Sequence, residues 1–269
     1  MKRCFVWVLV LAFVFLGWKA EPPQSNAVQE ASGKDFTVIM TDDHTGVVIT
    51  QYTGTAAVVR IPAKIQDMPV FVISRRAFYG NKNITSVIIP EGVSNIGDFA
   101  FESCPNLASV ILPQSLVRIG QYAFRWCVQL KALTLPENVQ MVGSGAFMVT
   151  ALESITLPAG LTKLPDWMFS GCANLRSVHI PEGVTHIPDY IFGGTALAAI
   201  TLPASIRSIG ELSFRDCADL VSVVVPETVT KIIFADKQGN YAFKGSPNLS
   251  LVTQKRLIQL GYPGWAFRN

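Results

Sequence analysis

Apolar residues along this chain repeat in long units. Phe78, Phe101, Phe124, Phe147, Phe169, Phe192, Phe214 and Phe243 are separated by 23, 23, 23, 22, 23, 22 and 29 residues. A second comb, Pro90, Pro113, Pro136, Pro158, Pro181, Pro203 and Pro226, keeps step with the first. Two residue types holding one period predict a solenoid whose units pack mainly on their neighbours and share a continuous core.

Within a unit the pattern is finer. Six residues after the Phe comes an aliphatic (Ile84, Leu107, Leu130, Leu175, Leu220), three later another (Val87, Val110, Leu133, Val178, Val223), and two later a third. That ending has a strand's period of two, so its side chains alternate between core and surface. The proline then ends the strand, because it brings no N–H to a ladder. Pairs such as Val93 with Ile96 and Leu116 with Ile119 turn inward again. A glycine often follows where the chain must turn, as at Gly97, Gly120, Gly143 and Gly210, and an Ala-Phe pair plugs the far side of the core. In the two 22-residue units Thr150 and Thr195 stand where others carry Cys104, Cys127, Cys172 and Cys217. Both residue types are small and can donate to carbonyls in the descending turn.

The ends of the array depart from the repeat. Alternation at Phe36, Val38 and Met40, a turn at 42–46, then Val47 and Ile49 predict a β-hairpin capping the first coil, residues 35–53. Residues 54–252 form the array, beginning with a degenerate unit around Ile61-Pro62. An insertion, Phe234 to Asn240, reads as a protruding loop. Thr253 to Leu260 reads as a short amphipathic helix that, with Trp265 and Phe267, closes the C-terminal end as a cap over 253–269.

The unit consensus A-F-x-x-C-x-x-L-x-x-V-x-L-P-x-x-V-x-x-I-G resembles the BspA-like, Treponema-type leucine-rich repeats. The resemblance implies an α/β-type leucine-rich-repeat solenoid, a right-handed superhelix of mostly short parallel β-strands. It also implies a surface or secreted protein engaged in adhesion to host matrix proteins or to other cells.

Composition agrees with stacked coils. Hydrophobic residues make up 49% of the chain and charged residues 15%, which excludes general disorder. The formal charge of +3 comes from Lys2, Arg3 and Lys19; without them 22 − 3 = 19 basic groups face 19 acidic ones. A neutral chain gives no electrostatic case for nucleic acid or an anionic membrane. Lys2 and Arg3 precede an apolar run from Phe5 to Gly17, shorter than the ~20 residues that span a bilayer. Residues 1–20 therefore read as an export signal, with Ser25-Asn26-Ala27 as a second cleavage candidate and an uncleaved membrane anchor as the main alternative. Residues 21–34 read as a spacer.

Eight stacked strands would make an array about 35–40 Å long, with outward side chains in parallel rows. One row is Ile88, Ile111, Thr134, Thr156, His179, Thr201 and Val224; its companion runs from Ser86 to Ser222, and Glu91 to Glu227 lie beyond. This small, β-branched, barely charged face is the candidate protein-binding surface, against the plain reading that stacked strands favour such residues. Trp126 and Trp167 break their columns, and Trp126 is a candidate interface anchor. The cysteines are expected to be buried free thiols, since no C-x-x-C occurs and Cys172 and Cys217 fall two coils apart. His179 and His186 lack a third ligand, so no metal is expected. Asp42-Asp43 and His44 belong to the hairpin turn. No catalytic, phosphate-binding or dinucleotide motif occurs, and no catalytic residue or cofactor is expected. The expected function is non-catalytic protein binding or adhesion at the cell surface, with a structural role in the cell envelope as the alternative.

Overall fold

The computed structural model describes residues 31–233 and 241–267. The export segment, most of the spacer, the 234–240 insertion and the Trp265 side chain lie outside the described residues.

The eight phenylalanines stack through the middle of the array, all at most 2% exposed. Neighbouring ring centroids lie 4.7–6.0 Å apart. Tyr52 extends this column at the N-terminal end, stacked 5.1 Å from Phe78. Tyr262 closes it at the other, edge-on at 5.7 Å to Phe243, with its hydroxyl accepting the Phe243 N–H. Burial of each ring contributes roughly 2–3 kcal/mol, so the column ties the coils together over its whole length.

Two parallel ladders flank this column. The first holds β3 (Val58–Arg60), β6 (Ser86–Ile88), β8 (Ser109–Ile111), β11 (Ser154–Thr156), β12 (Ser177–His179), β14 (Ala199–Thr201) and β16 (Ser222–Val224), each in the L-x-x-V-x-L segment of its unit. The second holds β5 (Met68–Ile73), β7 (Asn95–Ile96), β9 (Arg118–Ile119), β10 (Met141–Val142), β13 (His186–Ile187), β15 (Ser208–Ile209) and β17 (Lys231–Ile232). The N-terminal hairpin is β1 (Phe36–Met40) with β2 (Val47–Tyr52), and β2 lies parallel to β5, so the hairpin continues the second ladder. A short strand, β4 (Lys64–Ile65), folds back on β5. The C-terminal helix α1 spans Leu251–Gln259, two residues earlier than predicted, because the Ser250 hydroxyl caps it by accepting the Thr253 N–H.

Neither ladder is continuous, and one break has a clear cause. In the second ladder the residue after the strand donates to the preceding coil: Gly97 to Ile73, Gly120 to Ile96, Gly143 to Ile119 and Gly210 to Ile187, at 2.7–2.9 Å. A Cβ at Gly120 would lie 2.4 Å from the Asp98 nitrogen, and one at Gly143 would lie 2.3 Å from the Gln121 nitrogen. At these positions glycine is therefore required by the approach of two backbones, whereas Ser74 and Ile233, nearer the ends of the ladder, make the same bond while carrying side chains. In two coils this position is Pro165 or Pro188, which brings both extra bulk and no donor. There the ladder lapses: residues 163–164 form no strand between β10 and β13.

The first ladder opens around residues 132–135, which form no strand and no backbone–backbone hydrogen bond, and it is broken again between β12 and β14, which do not pair. Eight continuous strands were expected here, so this is a correction. No proline or charge in the segment accounts for it.

Candidate functional site

The first-ladder face is built by alternation: Val87, Val110, Ile155 and Ile200 point into the core, and their neighbours point out. The register sets Ile88 beside Ile111, Thr156 beside His179, and Thr201 beside Val224. Ile111 and Val224 are 55% and 54% exposed. Thr134, Thr156, His179 and Thr201 are exposed, while Ile88 is half-buried and contributes only an edge. Thr134 occupies its place in the row but sits on the unpaired segment. Grooves of about 380 and 330 Å³ flank that segment, one floored by Val110, Leu112 and Leu133, the other reaching Ile155 and Thr156.

The row beyond the prolines has a structural use that the sequence did not reveal. The Glu91 carboxylate accepts the N–H groups of Gln114 and Ser115 in the next coil at 2.9 and 3.2 Å. Glu182 does the same for Ala204 and Ser205, both at 3.2 Å. These carboxylates hold coils together.

The cysteine slot works as a brace. Cys104, Cys127, Cys172 and Cys217 are buried free thiols, each donating to the phenylalanine carbonyl of the preceding coil at 3.0–3.2 Å. Thr150 and Thr195 donate instead to the phenylalanine of their own coil, and Ser246 fills the slot in the last unit by donating to Phe214. Burial pushes the Cys104 thiol up to about 12 and the Cys172 thiol to about 11, and Cys127 and Cys217 move the same way. Protonated thiols without access are poor nucleophiles.

The remaining candidates are dispersed. His186 Nδ1 lies 2.8 Å from the Ser208 hydroxyl in the second ladder, away from His179 on the first. Asp43 is a turn residue: the Thr41 hydroxyl, then the Thr45 amide and hydroxyl, donate to its carboxylate and hold its pKa down to about 2. Among the described residues no cluster of three or more His, Cys, Asp or Glu could hold a metal ion.

Trp126 is 51% exposed, as an anchor would be. Trp167 does not break its column. It stacks 3.8 Å from Tyr190, in a line that also includes Phe99 and Tyr122 two residues before each phenylalanine. This line and its mirror two residues after the phenylalanine are left-handed: φ is +59° at Phe99, +53° at Tyr122, +64° at Trp167 and +65° at Trp126. The recurrence of aromatics at that offset was the available signal, and it passed unread because glycine marks the bend in only some units.

The BspA type leucine rich repeat region profile matches residues 59–172 and 140–262, with six copies. The chain belongs to the BspA-type leucine-rich-repeat family. Among solved structures it is similar to a T. pallidum leucine-rich-repeat protein, with 30% identity, a TM-score of 0.69, and 87% of this chain covering 97% of that one. A leucine-rich-repeat protein from Bacteroides ovatus has 30% identity and a TM-score of 0.69, with 75% and 55% of the two chains covered. A leucine-rich cell surface protein from Faecalibacterium prausnitzii has 33% identity and a TM-score of 0.66, covering 73% and 53%. Of these last two proteins the BspA-type chain spans about half the length. A comparison with the curated proteins found no match.

Proposed function

We propose that this chain is exported, is held at the cell surface, and binds a protein ligand on its first-ladder face without catalysing a reaction. The observation that carries this reading is the row itself. Outward residues from Ile111 to Val224 are exposed and nearly uncharged, and every strand beneath them is anchored in the phenylalanine-centred core. Such a face offers contact area at low desolvation cost, on a support that orders little on binding. A leucine-rich-repeat fold is consistent with protein–protein interaction in general. The surface location draws support from the printed name of the F. prausnitzii relative and from the positively charged, apolar start of the sequence. An adhesive role toward host matrix is the form of binding that fits this location.

Binding of the purified chain to immobilised matrix proteins tests the proposal. Thr156→Arg and His179→Glu change exposed side chains and are expected to leave the fold intact. Each is expected to weaken binding at least tenfold with an unaltered circular dichroism spectrum. Unchanged affinity in both variants removes the site from this face. Resistance to protease added outside intact cells replaces surface adhesion with the envelope-scaffold role.

A further inference from the structure

The corner of the solenoid near its N-terminal end carries chemistry that the first-ladder face lacks. The Arg75 guanidinium lies 5.1 Å from the centre of the Phe99 ring, and Arg76 lies 5.5 Å from that ring and 5.2 Å from Tyr79. Phe99 stacks on Tyr122 at 5.5 Å, and Arg125 lies 4.7 Å over Tyr122. These contacts make one connected surface across three coils. Tyr79 on it, and Trp126 next in sequence to Arg125, are each about half exposed. Among the described residues Trp126 stacks on no other ring.

The charges on this surface are unequal. Glu102 faces Arg125 at 2.7 Å, and its carboxylate is almost fully covered. Asp98 accepts the Gln121 N–H and lies 4.0 Å from Arg118. Arg75 and Arg76 are exposed and have no carboxylate within 4.0 Å among the described residues. Two exposed guanidiniums placed over rings and free of a carboxylate partner can present N–H groups to a planar carboxylate. A stacked arginine also has less freedom to lose on binding than a solvated one.

Backbone conformation adds a second argument. Arg76 and Trp126 adopt φ of +60° and +65°; the positions matching Trp126 are Gly80, Gly171, Gly194 and Gly245 in four coils and Ser103, Val149 and Asp216 in three, whereas the positions matching Arg76 include Gly145 but are otherwise side-chain-bearing residues such as Phe99 and Leu212. Large side chains in the left-handed region cost on the order of 1 kcal/mol each relative to glycine. The stacking of Phe99 on Tyr122 offsets that cost by joining coils. Trp126 has no such stack to offset it, and its ring faces solvent.

We propose that Arg75, Arg76, Tyr79, Tyr122, Arg125 and Trp126 form a docking surface for an acidic peptide segment of a partner protein. Carboxylates of that segment pair with Arg75 and Arg76, and an apolar side chain packs on Trp126. Arginine, tyrosine and tryptophan are the residue types that dominate interface energetics, and the excess positive charge selects an acidic partner. This surface is separate from the first-ladder face, so the two proposals stand or fall independently.

Fluorescence anisotropy with the full chain and a labelled dodecapeptide alternating Glu-Glu-Leu-Tyr tests it, with a Gln-Gln-Leu-Tyr peptide as control. The acidic peptide is expected to bind at least tenfold more tightly, and to weaken as salt rises from about 50 to 500 mM. Arg75→Glu should reduce binding at least tenfold. Trp126→Gly, which installs the residue other coils use at that bend, should do likewise while preserving the fold. Thr156→Arg should leave this binding unchanged. Equal binding of the two peptides, or indifference to both corner variants, overturns the proposal. So does loss of peptide binding in Thr156→Arg, which moves the peptide to the first ladder. Binding of a heparin octasaccharide with none of the acidic peptide makes the surface an anionic-carbohydrate site and also overturns it.

Discussion

Replacing Gly120 by alanine tests the closest approach between coils. The added Cβ would lie 2.4 Å from the Asp98 nitrogen, 2.5 Å from the Gly97 carbonyl carbon and 2.6 Å from Asp98 Oδ1. Comfortable contact begins near ~3.5 Å, so the two coils must part by about 1 Å. Parting stretches the Gly120 N–H bond to Ile96 at 2.7 Å and the Gln121 N–H bond to Asp98 at 2.9 Å. Two hydrogen bonds at about 1 kcal/mol each, with overpacking of about 1–3 kcal/mol, oppose a gain of roughly 0.4–1 kcal/mol from a stiffer unfolded chain. The expected net loss is about 2–4 kcal/mol. Gly160→Ala is the internal control. Its Cβ would meet nothing closer than 3.9 Å, and its φ is not left-handed. That variant should stay within about 0.5 kcal/mol of the parent, on the stabilising side. Urea unfolding followed by far-ultraviolet circular dichroism measures both midpoints. Equal midpoints would refute the claim that this glycine column is set by backbone approach.

Other consequences are open to direct measurement. In a Cys4→Ser background, Ellman's reagent at pH 8 should leave Cys104, Cys127, Cys172 and Cys217 untouched until denaturant is added; stoichiometric reaction of any one in the native protein contradicts its burial. The folded state raises these thiol pKa values above the ordinary 9, so their stabilisation is complete below pH 9 and is lost as pH climbs toward 11–12. Cys104→Ser with Cys172→Ser should therefore flatten the alkaline decline in stability by about 1.4 kcal/mol per pH unit per thiol, measured from unfolding midpoints between pH 9 and 11. Phe124→Ala removes a fully buried ring between Phe101 and Phe147, and should cost about 3–5 kcal/mol in the same urea assay. Hydrogen exchange should be roughly a hundredfold faster at residues 133–135 and 163–164 than in β6 and β7; equal protection would mean that the ladders do not open there.

The repeat could be read from the chain because each core column tolerates one kind of side chain. A ring that must stack on two others stays phenylalanine, and a donor that must reach a buried carbonyl stays cysteine, threonine or serine. The hairpin cap and the terminal helix were legible for the same reason, as breaks in that regularity. What escaped notice depends on distances between coils. Gly120 and Gly143 looked like turn residues, whereas their cause is a neighbouring backbone, and Pro165 and Pro188 open the ladder by occupying the same slot. The left-handed columns were hidden because Phe99, Tyr122 and Trp126 are not residues that advertise positive φ. On the candidate face, alternation placed Ile111, Thr156, His179 and Val224 correctly outward. It could not show that Thr134 lies on an unpaired segment, nor that Glu91 and Glu182 are engaged with the next coil.

That last point separates residues available to a ligand from residues committed to the stack. Asp98, Asp166 and Asp189 accept amides of the following coil, and Asn106, Asn138 and Asn248 donate to carbonyls of the preceding one. Glu91 and Glu182 serve the same purpose beside the prolines. These polar flanking groups are thus part of the inter-coil bonding, although their place on the surface makes them resemble a binding face. Glu182→Ala provides the test. It leaves the Ala204 and Ser205 amides to water, at a cost of about 1–2 kcal/mol, because hydrogen bonds from a charged acceptor exceed neutral ones only modestly at an exposed site. A matrix ligand held on the first-ladder face should bind Glu182→Ala and the parent chain within twofold, while the unfolding midpoint falls. A variant that keeps its midpoint and loses the ligand would show that Glu182 serves recognition, and the exposed carboxylates would then have to be counted as part of the face.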